Sequence, residues 1–85
     1  MELKNALSDY TEYQFKELIT AIQDAETESQ RDNFLLHFKK IVSHPAGTDL
    51  IYYPEPGAVS SAEGITETVK KWREANGLPG FKSVF

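Results

Sequence analysis

The chain contains no cysteine, which excludes disulfides and thiolate metal sites and suits a reducing compartment. It has no apolar run near the roughly 20 residues that a membrane span requires. The opening Met1-Glu2-Leu3-Lys4-Asn5 has no apolar h-region, so no signal peptide is expected and the expected location is the cytoplasm. Only five residues are glycine, and they form neither a phosphate-binding loop nor a Gly-x-Ser-x-Gly elbow. Eighty-five residues are read as a single domain, 1–85, with a small core and little room for a deep cleft. Enzymatic chemistry therefore finds no support.

Charge is present but unevenly placed. The formal net charge is −4. Residues 1–28 carry Glu2, Asp9, Glu12, Glu17, Asp24, Glu26 and Glu28 against Lys4 and Lys16. Residues 29–44 are basic on balance (Arg31, Lys39 and Lys40 against Asp32), and residues 64–85 are again mildly basic. An acidic N-terminal third repels nucleic acid and favours a basic partner, although solvated helix surfaces give similar patterns. The alternation of charge blocks argues against an acidic DNA mimic, which needs one continuous negative stripe.

Apolar spacing predicts helices. Thr11-Glu12-Tyr13-Gln14 has the form of a capping box, and Tyr10 and Phe15 fit the hydrophobic staple around it. Phe15, Leu18, Ile19 and Ile22 then recur at i, i+3, i+4 and i+7, and the helix is expected to fade near Ala25. Residues 26–30 read as a connection. A second helix is expected from about Ser29 to Ser43, with Phe34, Phe38, Ile41 and Val42 on one stripe. Leu35 and Leu36 are surplus to that stripe. Successive residues turn by about 100°, so at least one of them must be partly exposed. Pro45 and Gly47 stop this helix. Ser60-Ser61-Ala62-Glu63 reads as a second capping box with Ser60 as cap, ahead of Ile65, Val69 and Trp72. Asn76-Gly77 closes that helix, and Phe81 can fold back onto the core.

Leu50-Ile51-Tyr52-Tyr53 presents a conflict. Propensity favours a strand, but no second strand exists to complete a ladder. A short helix starting at Thr48 or Asp49 resolves it. The expected architecture is all-α, a small distorted four-helix bundle with a very short third helix. On a short helix Tyr52 and Tyr53 cannot both face the core. The outward tyrosine is either a binding hot spot beside Asp49 and Glu55 or an ordinary surface aromatic.

Metal chemistry is poorly served by the sequence. His37 and His44 are two turns apart, roughly 10 Å along a helix, too far to share one ion. His37 is expected to pack beside the core and His44 to sit at a helix end. No cofactor is implied.

Several segments, in order along the chain, resemble the immunity proteins of DNase-type colicins and S-type pyocins. They are Met1-Glu2-Leu3-Lys4-Asn5 leading into Ser8-Asp9-Tyr10-Thr11-Glu12; His37-Phe38; His44-Pro45-x-Gly47-x-Asp49-Leu50-Ile51-Tyr52-Tyr53-Pro54; and Trp72-Arg73-x-Ala75-Asn76-Gly77 with Pro79-Gly80-Phe81-Lys82. The resemblance implies a non-enzymatic inhibitor, monomeric when free. It would form a 1:1 heterodimer with the C-terminal HNH DNase domain of a cognate toxin, at an exosite beside the active site, and block DNA access. No direct contact with nucleic acid or membrane is implied, and the inhibitor can be carried out of the cell with its toxin. By position, Thr48, Asp49, Tyr52 and Tyr53 match a common toxin-binding anchor. Glu28, Arg31, Asp32, Leu35, Leu36 and Lys39 fall where the family varies to select its toxin. A helical interaction module or antitoxin acting on a partner other than a DNase would use the same surface. The chain departs from the family pattern at Lys39-Lys40, where acidic or neutral residues are common. It also departs in a short 25–33 region, at Gly57-Ala58-Val59-Ser60 and in the apolar tail Ser83-Val84-Phe85.

Overall fold

In a computed structural model, which describes residues 3–45, 47–52 and 61–82, the first helix begins where the capping box places it. Thr11 Oγ1 accepts from the Gln14 amide at 3.2 Å, and Gln14 Oε1 accepts from the Thr11 amide at 2.9 Å. Two otherwise orphaned N–H groups are thereby satisfied. Tyr10 and Phe15 meet edge-on, with ring centroids 6.4 Å apart, closing the staple. Helix α1 (Glu12–Gln23) buries Phe15, Leu18, Ile19 and Ile22, as the spacing predicted. A single 3-10 turn, Leu7–Asp9, precedes it and buries Leu7.

Helix α2 (Glu28–Val42) starts slightly earlier than expected. Thr27 Oγ1 accepts from the Gln30 amide at 3.1 Å, and Gln30 Oε1 accepts from the Glu26 amide at 3.2 Å. Three of the five residues of the supposed connection 26–30 are therefore helix. The spacing Thr27-x-x-Gln30 repeats that of Thr11-x-x-Gln14 and carries the same physical signal. Ser43, expected as the last helical residue, is instead the C-cap, in the left-handed region at φ 58°. Phe38, Ile41 and Val42 are buried, while Phe34 and Leu35 lie half-buried against them.

Helix α3 (Asp49–Tyr52) is a single turn, held by Ile51 N–H to Thr48 O at 3.0 Å and Tyr52 N–H to Thr48 O at 3.3 Å. It buries Leu50 and Ile51. Helix α4 (Ala62–Ala75) is capped by Ser61, whose Oγ accepts from the Gly64 amide at 3.2 Å. This corrects the expectation of Ser60 as cap; Ser60 itself lies outside the described residues. The box spacing points to Ser60 because Glu63 lies three residues on, but the helix begins one residue later, with Ser61 in extended backbone at φ −73° and ψ 163°. The helix ends in a Schellman arrangement: Leu78 N–H reaches Arg73 O at 2.9 Å and Gly77 N–H reaches Glu74 O at 3.2 Å. Gly77 has φ 68°, which glycine adopts without steric cost. Helix α1 packs against both α2 and α4. No strand occurs among the described residues.

Two polar groups inside this arrangement shape its stability. The Tyr10 hydroxyl, 1% exposed as a residue, lies 2.7 Å from His37 Nε2 and accepts from the Lys4 amide at 2.9 Å. The Tyr10 carbonyl accepts from the Lys82 amide at 2.7 Å, so the C-terminal segment docks at the same point. There Phe81 packs on Phe15, at 5.1 Å between centroids. The second group is Arg73, which the sequence reading passed over. It is only 8% exposed. Its Nε donates to Pro79 O at 2.9 Å, and its Nη1 donates to Val42 O at 3.2 Å and Ile41 O at 3.4 Å. A cation at the C-terminus of α2 thus satisfies carbonyls that no later turn of that helix can reach.

These contacts generate two expectations. Burial holds the His37 imidazole below the ordinary histidine pKa, and the charge of Lys40 adds to the effect. The folded state therefore favours neutral His37, while the unfolded chain takes up the proton at the ordinary pKa. The stability contributed by neutral His37 is complete above about pH 6.5 and is lost as pH falls below it. Urea midpoints should drop between about pH 7 and pH 5, and the drop should flatten in His37→Gln, which keeps an acceptor for Tyr10. An identical slope in the variant would exclude His37 as the source. Arg73→Met keeps the aliphatic stem but strands the α2 carbonyls, and should cost about 2–3 kcal/mol in urea unfolding. A change below about 0.5 kcal/mol would remove the capping role.

Candidate functional site

The four residues of α3 divide cleanly. Leu50 and Ile51 point into the core, so the turn is anchored from below. Asp49 is exposed, Thr48 is half-buried, and Tyr52 stands 49% exposed. Helical angles require at least one of the tyrosine pair to face outward, and Tyr52 does. Tyr53 lies outside the described residues. The turn is reached through Gly47, which is buried at φ +55°. A methyl placed there would sit 3.6 Å from Lys39 Cγ, an ordinary contact, so the backbone conformation rather than crowding calls for glycine. The same distance shows that the stem of Lys39 lies along the approach to α3.

On α2 the surplus leucines separate. Leu35 is half-buried against the core, whereas Leu36 is 68% exposed. Asp32 and Lys39 are exposed on the turns either side of Leu36, and Glu28 is exposed at the helix start. Arg31 is half-buried and shares a cleft of about 290 Å³ with Ile22, Gln23, Ile51 and Tyr52. Arg31 thus meets Tyr52 across the cleft, while Lys39 meets the entry to α3 at Gly47. Two of the α2 candidates, Arg31 and Lys39, are thus placed beside the segment that carries the α3 candidates. Gln23, at the end of α1, joins the cleft without having been predicted; nothing in its local sequence sets it apart from any exposed helix residue. A larger groove of about 670 Å³ runs along α1 past Tyr13, Gln14, Glu17 and Thr20, and includes none of the candidate residues.

Nothing in this surface is arranged for catalysis. His37 is engaged with Tyr10, and the His44 ring lies 4.5 Å from that of Trp72, so the two histidines serve separate partners. Among the described residues no group of three or more His, Cys, Asp or Glu side chains is placed to hold a metal. The candidate residues include an exposed leucine, an exposed tyrosine, three acids (Glu28, Asp32 and Asp49) and two cations (Arg31 and Lys39), a composition suited to another protein.

Comparison with known proteins decides the family. A model of the colicin immunity protein / pyocin immunity protein family matches residues 7–75. The chain belongs to that family. It is 40% identical to the pyocin-S1 immunity protein of Pseudomonas aeruginosa and, equally, to the pyocin-S2 immunity protein of P. aeruginosa strain PAO1, covering 95% of this chain and 99% of each relative. Its structure matches a chain of the crystal structure of the pyocin AP41 DNase–immunity complex with a TM-score of 0.91 and 42% identity, over 100% of this chain and 99% of that one. A chain from the structure of the mutant nuclease domain of pyocin S8 with its cognate immunity protein matches with a TM-score of 0.85 and 39% identity, over 94% of this chain and 100% of that one. An immunity protein works by binding and not by catalysis, in keeping with the surface just described.

If Leu36 serves a partner and not the core, the fold should tolerate its loss. Leu36→Ser is expected to change urea-unfolding stability by no more than about 0.5 kcal/mol, whereas Phe38→Ala, two residues away and buried, should cost about 3–5 kcal/mol. Comparable losses in the two variants would place Leu36 among the structural residues.

Proposed function

We propose that this immunity protein binds the C-terminal nuclease domain of a cognate pyocin- or colicin-like toxin and inhibits it, protecting the cell that makes both. The observation that carries this reading is the full-length match, at 42% identity, to a chain of a DNase–immunity complex. The physical case runs parallel. A DNase surface must be basic to hold DNA, and this chain carries a net −4, which speeds encounter with such a surface. Among the described residues its candidate face presents the exposed Leu36 and Tyr52 and a cleft of about 290 Å³. Binding at an exosite beside the catalytic centre, with DNA excluded by bulk and by charge, fits such a face. The target class is the HNH DNase, the complex is 1:1, the free protein is a monomer, and the site of action is the producer's cytoplasm.

Within the surface, Thr48, Asp49, Tyr52 and Tyr53 supply the shared anchor. Glu28, Arg31, Asp32, Leu35, Leu36 and Lys39 supply discrimination among toxins. Leu36 fits this division best, because an exposed leucine gains free energy only when a partner covers it. Full burial there is worth about 1.5–3 kcal/mol. A toxin without a matching apolar socket leaves that contribution unrealised, and selectivity is such a difference of affinities.

The test is a binding and DNA-cleavage panel with the pyocin AP41 DNase and the pyocin S8 nuclease domain. The unsubstituted chain should inhibit at least one of them. Asp49→Ala, Tyr52→Ala and Tyr53→Ala should each weaken binding by about 2–4 kcal/mol with little effect on the circular dichroism spectrum. Unchanged inhibition by all three variants would remove the anchor from α3.

A further inference from the structure

The cleft between the end of α1, the start of α2 and α3 has a definite chemistry. Its floor is apolar, made of the buried Ile22 and Ile51. Its polar lining consists of Gln23, Arg31 and Tyr52, and each of these side chains can donate a hydrogen bond. Among the described residues no carboxylate lines it. The Arg31 guanidinium takes part in no ion pair among the described residues; the pairs that form, Lys70 with Glu12 and Lys71 with Glu67, involve α1 and α4 only. Glu28 and Asp32 flank Arg31 in sequence, yet both are exposed and neither pairs with it.

A half-buried cation at the edge of a contact surface has a predictable need. Docking a partner removes more of its water, and a charge desolvated without a counter-charge is strongly unfavourable. A carboxylate answers that need best, because the guanidinium can bind both of its oxygens and the neighbouring phenol and amide can donate to the remaining lone pairs. The apolar floor accommodates the methylene stem. We propose that this cleft receives one carboxylate side chain of the nuclease, and that Gln23 is a further specificity-determining residue acting with Arg31 and Tyr52. The proposal rests on the reading that the chain binds a nuclease domain. It runs against the overall electrostatics of the pair, since an acidic inhibitor here recognises an acid. That makes the cleft a discriminator: a nuclease with no carboxylate at this place would leave Arg31 desolvated and unpaired.

The experiment uses the full chain with the AP41 DNase and the S8 nuclease domain, following the domain that binds more tightly. Arg31→Leu keeps the stem and removes the charge, and should weaken binding by about 10- to 100-fold. Arg31→Glu should weaken it further, and Gln23→Ala should weaken it several-fold, all with melting temperatures close to that of the unsubstituted chain. In a set of single Glu→Lys and Asp→Lys substitutions on the nuclease, one should restore the binding of Arg31→Glu. Arg31→Leu and Arg31→Glu binding as tightly as the original would overturn the proposal. So would a loss in Arg31→Glu that no nuclease substitution repairs, or a dependence on Arg31 that disappears when a nuclease aromatic is changed to alanine, which would indicate stacking on a ring. Failure of the unsubstituted chain to bind either domain is a separate result, and would remove the functional reading together with the cleft's role in it.

Discussion

The guanidinium of Arg73 holds the end of α2, and the rest of the contact surface depends on where that end lies. A helix leaves its last carbonyls without partners. Here two of them, on Ile41 and Val42, accept from a side chain on α4, while the same guanidinium binds the Pro79 carbonyl of the C-terminal segment. One cation therefore joins α2, α4 and the tail. The chain leaves this fixed point through the left-handed Ser43, sets His44 against Trp72 of α4, turns at Gly47 and enters α3. A turn as short as α3 cannot hold itself in water. Its position follows from the anchored end of α2 behind it and from Leu50 and Ile51 beneath it.

A second hub is organised in the same manner around Tyr10. Its ring closes the staple on Phe15, its hydroxyl joins the Lys4 amide to His37 on α2, and its carbonyl takes the Lys82 amide. Each hub is a polar side chain, buried or nearly so, whose hydrogen bonds run to segments distant in sequence. Among the described residues no buried side-chain nitrogen or oxygen is left without a partner, so neither hub carries the penalty of an unsatisfied group. A core this small gains much of its single, defined geometry from such points, because apolar packing alone tolerates alternative arrangements.

Under the proposed function, geometry of this kind lets one small surface both bind and discriminate. The core absorbs Leu35 but leaves Leu36 outside. Among the described residues the ion pairs lie on α1 and α4, and Arg31 takes part in none. Under the proposed function the exposed Leu36 and Tyr52 and the charge of Arg31 meet the partner. Their free-energy contribution appears only in the complex, which is where specificity is decided.

Much of this was determined by sequence alone, wherever the deciding interaction spans a few residues. The Thr11–Gln14 box, the Tyr10–Phe15 staple and the Gly77 terminus are local, and each lies where its residues imply. The short helix at Asp49–Tyr52 was legible by elimination, since a strand without a partner leaves its backbone unsatisfied. The exposure of one of Leu35 and Leu36, and of one of the two tyrosines, followed from helical angles, but which leucine faces outward depended on where α1 and α4 pack. The Ser-x-x-Glu spacing implied Ser60 as the cap of α4, whereas Ser61 takes that place. The role of Arg73 required partners 31 and 32 residues away, and that of Gln23 required three helix ends to converge. Short-range hydrogen bonds and side-chain periodicity are written in neighbouring residues; a carbonyl or a cleft supplied by a distant segment exists only once the chain has closed on itself.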